Sequence, residues 1–291
     1  MPEFNQPSAE LRARVALEKH RFHNTHSLGQ NFLLSEELIS ALLDDAEIEP
    51  SDNVLEIGPG AGVMTRLLAG RCARVLAVEV DRSLEPVLAD VLEGADNARV
   101  RFEDILKTDL DRLTAEAFGD APYRVVANLP YYITADILLR LTGTGRPPES
   151  ICIMVQKEAA ERIMSEPGEK QWCALAAEIQ YYGEARTLRE VPPEAFDPPP
   201  HVTSRFIRID RHAVPPVVPA DEKTYRRLLR AAFAMRRKTL ANNLKAAFGL
   251  DQQAAFTALD AAGVDRRVRG EALTLAELCR VSDAIGKNSV E

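Results

Sequence analysis

The 291-residue sequence predicts an α/β fold, a doubly wound and mostly parallel sheet, followed by a small all-α domain. Two patterns carry this expectation. From Asn53 to Val155, short β-branched runs alternate with amphipathic helical stretches, the signature of strands joined by helical crossovers. After the proline-rich Val214-Pro215-Pro216-Val217-Val218-Pro219, every remaining segment has helical period. The predicted organisation is a mobile basic arm over residues 1–26, an α/β domain over 27–213 and a helical domain over 214–291.

Lys19, His20, Arg21, His23 and His26 make the arm basic; no cysteine or carboxylate nearby completes a metal set with its histidines. Ser35 before Glu36-Glu37 reads as an N-cap with an acidic first turn, opening a helix through Ile39, Leu42 and Leu43. Val54–Ile57 is the first strand of the alternating region, and Gly58-Pro59-Gly60-Ala61-Gly62 leads into a helix through Met64, Leu67 and Leu68. Val75–Glu79, Arg99–Phe102, Val125–Asn128 and Ile151–Val155 are the next strands, with helices predicted over 83–92 and 133–141. A helix over 174–182 and strands over 187–191 and 205–209 complete the domain, with the stiff Pro192–Pro200 loop between those two strands. The C-terminal helices are predicted over 221–233, 239–248, 252–262 and 275–285.

Composition narrows the class. At 46% hydrophobic and 27% charged residues the chain has globular composition, and no apolar run approaches the roughly 20 residues a membrane helix needs. Residues 1–19 lack the apolar core of a signal peptide. The four cysteines, Cys72, Cys152, Cys173 and Cys279, are scattered without a CxxC pair, which predicts reduced thiols, a cytoplasmic location and no structural metal. The net charge of −8 is unevenly spread. Residues 201–291 hold 16 Lys/Arg against 10 Asp/Glu (+6), whereas residues 1–200 hold 20 against 34 (−14). That asymmetry suggests a basic binding surface attached to an acidic body.

Chemistry concentrates at the predicted strand ends. Gly58, Gly60 and Gly62 allow a backbone turn to approach a ligand closely. Glu79 ends the second strand of the alternating region 21 residues after Gly58, where a carboxylate accepts both hydroxyls of a ribose. These features fit NAD and S-adenosylmethionine equally. Asp104, after the next strand, suits an adenine amino group and equally a helix cap. Asn128-Leu129-Pro130-Tyr131 decides between the two ligands. An exocyclic adenine nitrogen is a poor nucleophile because its lone pair is delocalised into the ring. The Asn128 side-chain oxygen and the Leu129 carbonyl, accepting its two hydrogens, favour a pyramidal nitrogen with an available lone pair. Tyr131 offers a face for a base taken out of its helix. A sulfonium donor carries its own leaving group, so no acid, metal or covalent nucleophile is needed. A hydride-transfer site would place a His or Lys acid there, and a cytosine-carbon methyltransferase a cysteine after proline; neither is present.

The chain resembles the KsgA family of small-subunit ribosomal RNA adenine N6,N6-dimethyltransferases. The resemblance runs from Leu28-Gly29-Gln30-Asn31-Phe32-Leu33 through Glu56-Ile57-Gly58-Pro59-Gly60, Asn128-Leu129-Pro130-Tyr131 and Gln156-Lys157-Glu158. It continues through Val191-Pro192-Pro193, Phe196-x-Pro198-Pro199-Pro200 and Arg236-Arg237-Lys238-Thr239-Leu240. It implies a Rossmann-like domain with S-adenosylmethionine as methyl donor, held by Asn31, Leu33, Gly58, Glu79, Asp104 and Asn128, with Gly60 in the turn and Glu56 supporting it. It also implies that Tyr131 and Phe196 sandwich the target adenine. The expected substrate is a pair of adjacent adenosines near the 3′ end of small-subunit rRNA in the immature subunit, with a role in ribosome biogenesis and a monomeric enzyme. Arg226, Arg227, Arg230, Arg236, Arg237 and Lys238 are then expected to form an RNA phosphate surface. The alternatives are a large-subunit rRNA methyltransferase of the macrolide-resistance type and an assembly factor whose binding role outweighs catalysis. Trp172-Cys173-Ala174-Leu175-Ala176 and His201 depart from the family pattern, and Tyr132 stands where the family also takes Asn.

Overall fold

The computed structural model describes residues 7–22 and 30–288. The elements, in chain order, are α1 (Ala9–Lys19), β1 (Phe32–Leu33), α2 (Glu36–Asp45), β2 (Asn53–Ile57), α3 (Val63–Ala69), β3 (Arg74–Glu79), α4 (Glu85–Val91), β4 (Ala98–Phe102), α5 (Leu110–Phe118), β5 (Arg124–Asn128) and α6 (Thr134–Gly143). They continue with β6 (Ser150–Gln156), α7 (Lys157–Ile163), α8 (Ala174–Tyr182), β7 (Gly183–Val191), β8 (Phe196–Asp197), β9 (Ser204–Arg211), α9 (Glu222–Ala234), α10 (Leu240–Phe248), α11 (Gln252–Ala261) and α12 (Leu275–Asn288).

The main sheet runs β4-β3-β2-β5-β6-β9-β7, with β4 to β6 parallel and β9 antiparallel to β6. β2, β5 and β6 are buried apolar runs because helices cover both faces of a parallel sheet. The strand order reverses between β2 and β5, and their carboxyl ends, Ile57 and Asn128, open the crevice where such sheets bind ligands. A separate two-stranded ribbon pairs β1 with β8, Leu33 against Phe196.

Contacts divide the chain into two compact units, Met1–Ala160 with Arg186–Asp210, and Glu161–Ala185 with Arg211–Glu291. The sequence boundary at 213/214 therefore misses an earlier crossing. Residues 161–185 belong with the C-terminal helices because Trp172, Ala176, Ala177 and Tyr181 are buried against Tyr225, Leu228, Leu240 and Leu259. The Tyr181 and Tyr225 rings meet edge to face at 4.9 Å. Trp172, one departure from the family pattern, is fully buried in this helical core and meets Phe233 at 5.8 Å.

A second correction concerns the N-terminus. Residues 9–19 are a helix, capped by Ser8, whose Ala9, Ala13 and Ala16 are buried among residues of α2, α3 and α4. The Glu36 carboxylate accepts the Ala9 N–H, and Lys19 and His20 both engage Asp90 (2.7 and 2.8 Å). The predicted mobile arm is thus a docked helix over these residues; His23 and His26 lie outside the described ones. Helix α5, opened by Asp109 as N-cap, is an element the sequence reading passed over. Among the described residues no helix is long and apolar enough to cross a membrane.

Candidate active site

The turn after β2 is shaped by three left-handed glycines, Gly58, Gly60 and Gly62, at φ +72°, +54° and +81°. Gly58 N–H donates to Val78 O at 2.9 Å, tying the turn to β3. A Cβ at Gly60 would come within 2.9 Å of the Phe32 ring, so the turn and β1 approach closely only because the side chain is absent. β3 delivers Glu79, whose Oε2 accepts from Gly60 N–H (3.2 Å) and whose Oε1 accepts from Asp81 N–H (2.9 Å). Burial raises the Glu79 carboxyl above its ordinary range, opposed by these N–H donors. After β4, Asp104 pairs with Lys107 (2.9 Å) and accepts from Leu106 N–H (3.0 Å). The Lys107 ammonium holds its carboxyl below the usual range, so Asp104 is ionised at neutral pH.

At the end of β5, Asn128 Nδ2 donates to the Asn31 carbonyl at 3.1 Å. That bond fixes the amide and leaves Oδ1 free to accept. Pro130, at φ −56° and ψ 132°, starts a 3₁₀ turn over Tyr131–Ile133. The Tyr131 hydroxyl lies 2.8 Å from Ser204 Oγ, which locks a half-buried ring. The Asn31 amide faces the carbonyls of Gln30 and Pro198, orienting its nitrogen toward them.

These strand ends enclose a cavity of about 290 Å³. Asn31, Leu33, Glu56, Gly58, Gly60, Glu79, Asp104 and Asn128 all line it, as do Leu129, Pro130 and Tyr131. Gln30, Phe32 and Ile105 also line it and were missed; Gln30 donates to Asp81 at 2.8 Å, a contact no sequence spacing announces. Phe196 does not line the cavity. Phe196 is 4% exposed and belongs to the core cluster, held beside Leu33 by the β1–β8 ribbon. Tyr132, by contrast, lines the cavity and is 63% exposed.

The basic residues of the helical unit divide into two kinds. Arg226 is not a free phosphate ligand. Its guanidinium pairs with the buried Glu178 (2.9 Å) and with Glu222 (2.9 Å) and lies 5.2 Å from the Tyr181 ring centre. A buried carboxylate in an apolar core needs that counter-charge. Arg227 lies over Phe248, Arg230 reaches Glu178 at 3.7 Å, and Arg236 pairs with Glu271 at 3.1 Å; all three are exposed. Arg237 and Lys238 are exposed and make no ion pair among the described residues.

The model of the ribosomal RNA adenine dimethylase family matches residues 21–287. The chain belongs to that family. Relatives called ribosomal RNA small subunit methyltransferase A include those of Streptococcus pneumoniae (strain P1031), 43% identical over 94% of this chain and 95% of the relative, and Enterococcus faecalis, 40% identical over 99% of both. Among solved structures, a dimethyladenosine transferase from Plasmodium falciparum shares the fold at TM-score 0.71 and 22% identity, over 88% of this chain and 97% of that one. The 23S rRNA methyltransferase ErmE aligns at TM-score 0.63 and 26% identity, over 88% of this chain and all of its own. The glycine turn, Glu79, Asp104 and the Asn128 amide thus meet at one cavity in an rRNA adenine dimethylase.

Proposed function

We propose that the protein transfers methyl groups from S-adenosylmethionine to N6 of two adjacent adenosines near the 3′ end of small-subunit rRNA, two to each, in the immature ribosomal subunit. The observation that carries this reading is the Asn128 amide, held on the Asn31 carbonyl with its oxygen free, on the same cavity as the glycine turn and Glu79. The residues fit the donor. The Gly60 turn leaves a cradle that a Cβ would fill, Glu79 accepts ribose hydroxyls, and ionised Asp104 accepts from an adenine amino group. Asn31 and Leu33 line the same cavity beside the turn. S-adenosylmethionine, when bound, supplies a methyl group on a sulfonium that departs as a neutral thioether.

The acceptor side follows from the Asn-Leu-Pro-Tyr turn. Asn128 Oδ1 and the Leu129 carbonyl accept the two N6 hydrogens, pyramidalising the nitrogen, and Pro130 fixes the carbonyl beside the amide. Tyr131, its hydroxyl tied to Ser204, stacks on the base, while Phe196 supports β1 from the core. Each methylation costs N6 one hydrogen, lost as a proton. Preorganised acceptors of this kind contribute by placement, without reorganising during the reaction.

Arg237 and Lys238, with Arg227, Arg230 and Arg236, form the phosphate surface; Arg226 is excluded from it. Two observations support small-subunit RNA as the target: the 40–43% identity to small-subunit enzymes along nearly the whole chain, and the continuous match through the helical unit. The enzyme acts as a monomer, and in the cytoplasm, the compartment its four free cysteines fit. Primer extension on both rRNAs of a deletion strain tests the target. Loss of the paired stop near the 3′ end of small-subunit rRNA is expected; loss in the large subunit alone would overturn the assignment.

A further inference from the structure

Glu56 is a buried titratable group that the chemistry above leaves unused. It lies on β2, two residues before Gly58, lines the cavity and is 2% exposed. Its Oε2 is buried without a hydrogen-bond partner among the described residues, and the Thr65 hydroxyl approaches the carboxyl from α3 and partly favours its ionised form. A carboxylate with an unanswered oxygen is costly in such a place, so the proton stays on unless a cation arrives.

Among the described residues the surroundings supply no cation. Across the sheet Glu56 faces Ala77 on β3 and Val126 on β5, neither of them ionisable. The charged neighbour is Glu79 at the end of β3, which repels a second carboxylate. Cys72, beyond α3, has its thiol pushed up to about 12, first by burial and then by the Asp52 and Glu56 carboxylates. Burial accordingly raises the Glu56 carboxyl to about 8, opposed by the Thr65 hydroxyl and reinforced by Glu79.

We propose that Glu56 is a proton-linked counter-ion of the methyl donor, neutral in the free protein and ionised when a cationic ligand enters the cavity. The inference rests on the donor reading above, because S-adenosylmethionine carries the required net positive charge. The step is simple: the carboxyl O–H bond breaks, the proton passes to water or buffer, and the carboxylate faces the ligand's positive charge. Donor affinity then rises with pH, approaching about tenfold per unit on the acid side of the Glu56 titration, up to about pH 8, where the ligand's own α-ammonium loses its proton. Binding releases about nine-tenths of a proton at pH 7, where the ligand's own α-ammonium is still mostly protonated.

Titration calorimetry of the full chain with S-adenosylmethionine, in two buffers of different ionisation enthalpy, counts that proton. At pH 7 the wild type is expected to release close to one proton, and Glu56→Gln to bind without releasing it and without the pH dependence. Wild-type binding with no proton release overturns the inference. So does equal release by Glu56→Gln, which would place the proton on another group such as Glu79. Infrared difference spectra of the wild type give the same answer should the variant not fold. The protonated-carboxyl C=O band is expected to disappear on donor binding at pH 7, and a band that persists contradicts the proposal. A wild type that binds no S-adenosylmethionine at all would overturn the donor reading itself, an outcome distinct from binding without proton release.

Discussion

At the scale of single residues, the account turns on what Asn128 and Glu56 cost and do. A half-buried amide at a strand end is stable here because Nδ2 finds the Asn31 carbonyl, and that bond aims Oδ1 where an acceptor is useful. Asn128→Ala is expected to lower kcat for methyl transfer by about 10²–10³, the usual scale for removing one preorganised polar group. Steady-state kinetics on undermodified subunits check this, and near-wild-type turnover would remove Asn128 from the mechanism. Glu56 makes a separate prediction about stability. A carboxyl whose folded-state pKa is raised binds its proton more tightly when folded. Its contribution is therefore complete below the ordinary value of 4.5 and is lost as pH rises toward about 8. The ligand-free protein should lose Tm across that interval, on the order of 3 °C per pH unit, and Glu56→Gln should flatten the slope. Thermal scans between pH 5 and 8 decide it.

At the scale of elements, the strands of the sheet and the helices after 214 follow their sequence patterns closely because period and flanking turns agree. Ser35, for example, caps α2 by accepting the Leu38 N–H, as its position before two glutamates predicts. Helix α1 did not read that way. Its buried face is Ala9, Ala13 and Ala16, with Leu17 partly buried beside them, while two of its three larger apolar residues, Leu11 and Val15, point outward at 52% and 54% exposure. A face of alanines carries little hydrophobic signal, yet it permits the close approach to α3 and α4 that tertiary packing rewards. Ala13→Leu should overpack that contact and cost about 1–3 kcal/mol, whereas Val15→Ser should stay within about 0.5 kcal/mol; denaturant melts of the two variants compare them. The burial of Phe196 was not legible for a related reason. The sequence showed an aromatic among prolines and a family motif, but the β1–β8 pairing that buries the ring is a two-residue ribbon with no periodic signature. Gly58, Glu79, Asp104 and Asn128 were legible because each stands at or just after the end of a strand that could be read, whereas Asn31 and Leu33 rested on the family resemblance.

At the scale of the whole molecule, the excess of basic residues after 200 was visible by counting, but counting cannot tell which cations are already neutralised. Arg226 answers Glu178, a carboxylate buried in the helical core, and that partner lies 48 positions earlier in sequence. Arg226→Ala should therefore act on stability, destabilising by about 3–5 kcal/mol through an uncompensated buried charge. Arg237→Ala should leave Tm unchanged and reduce the salt dependence of RNA binding by about one unit of slope. Thermal melts and salt titrations on the same two variants separate the roles. The partition of the chain was only half readable for a similar reason. Val214–Pro219 lies just past the crossing at 210/211, whereas the crossings at 160/161, within α7, and at 185/186, within β7, carry no proline or glycine signal at the boundary. The most direct measurement of the central claim is methyl transfer from labelled S-adenosylmethionine to small subunits isolated without prior modification, with the labelled nucleotides mapped. The account predicts four methyl groups on two adjacent adenosines near the 3′ end of the RNA; no transfer, or label confined to other nucleotides, would contradict it.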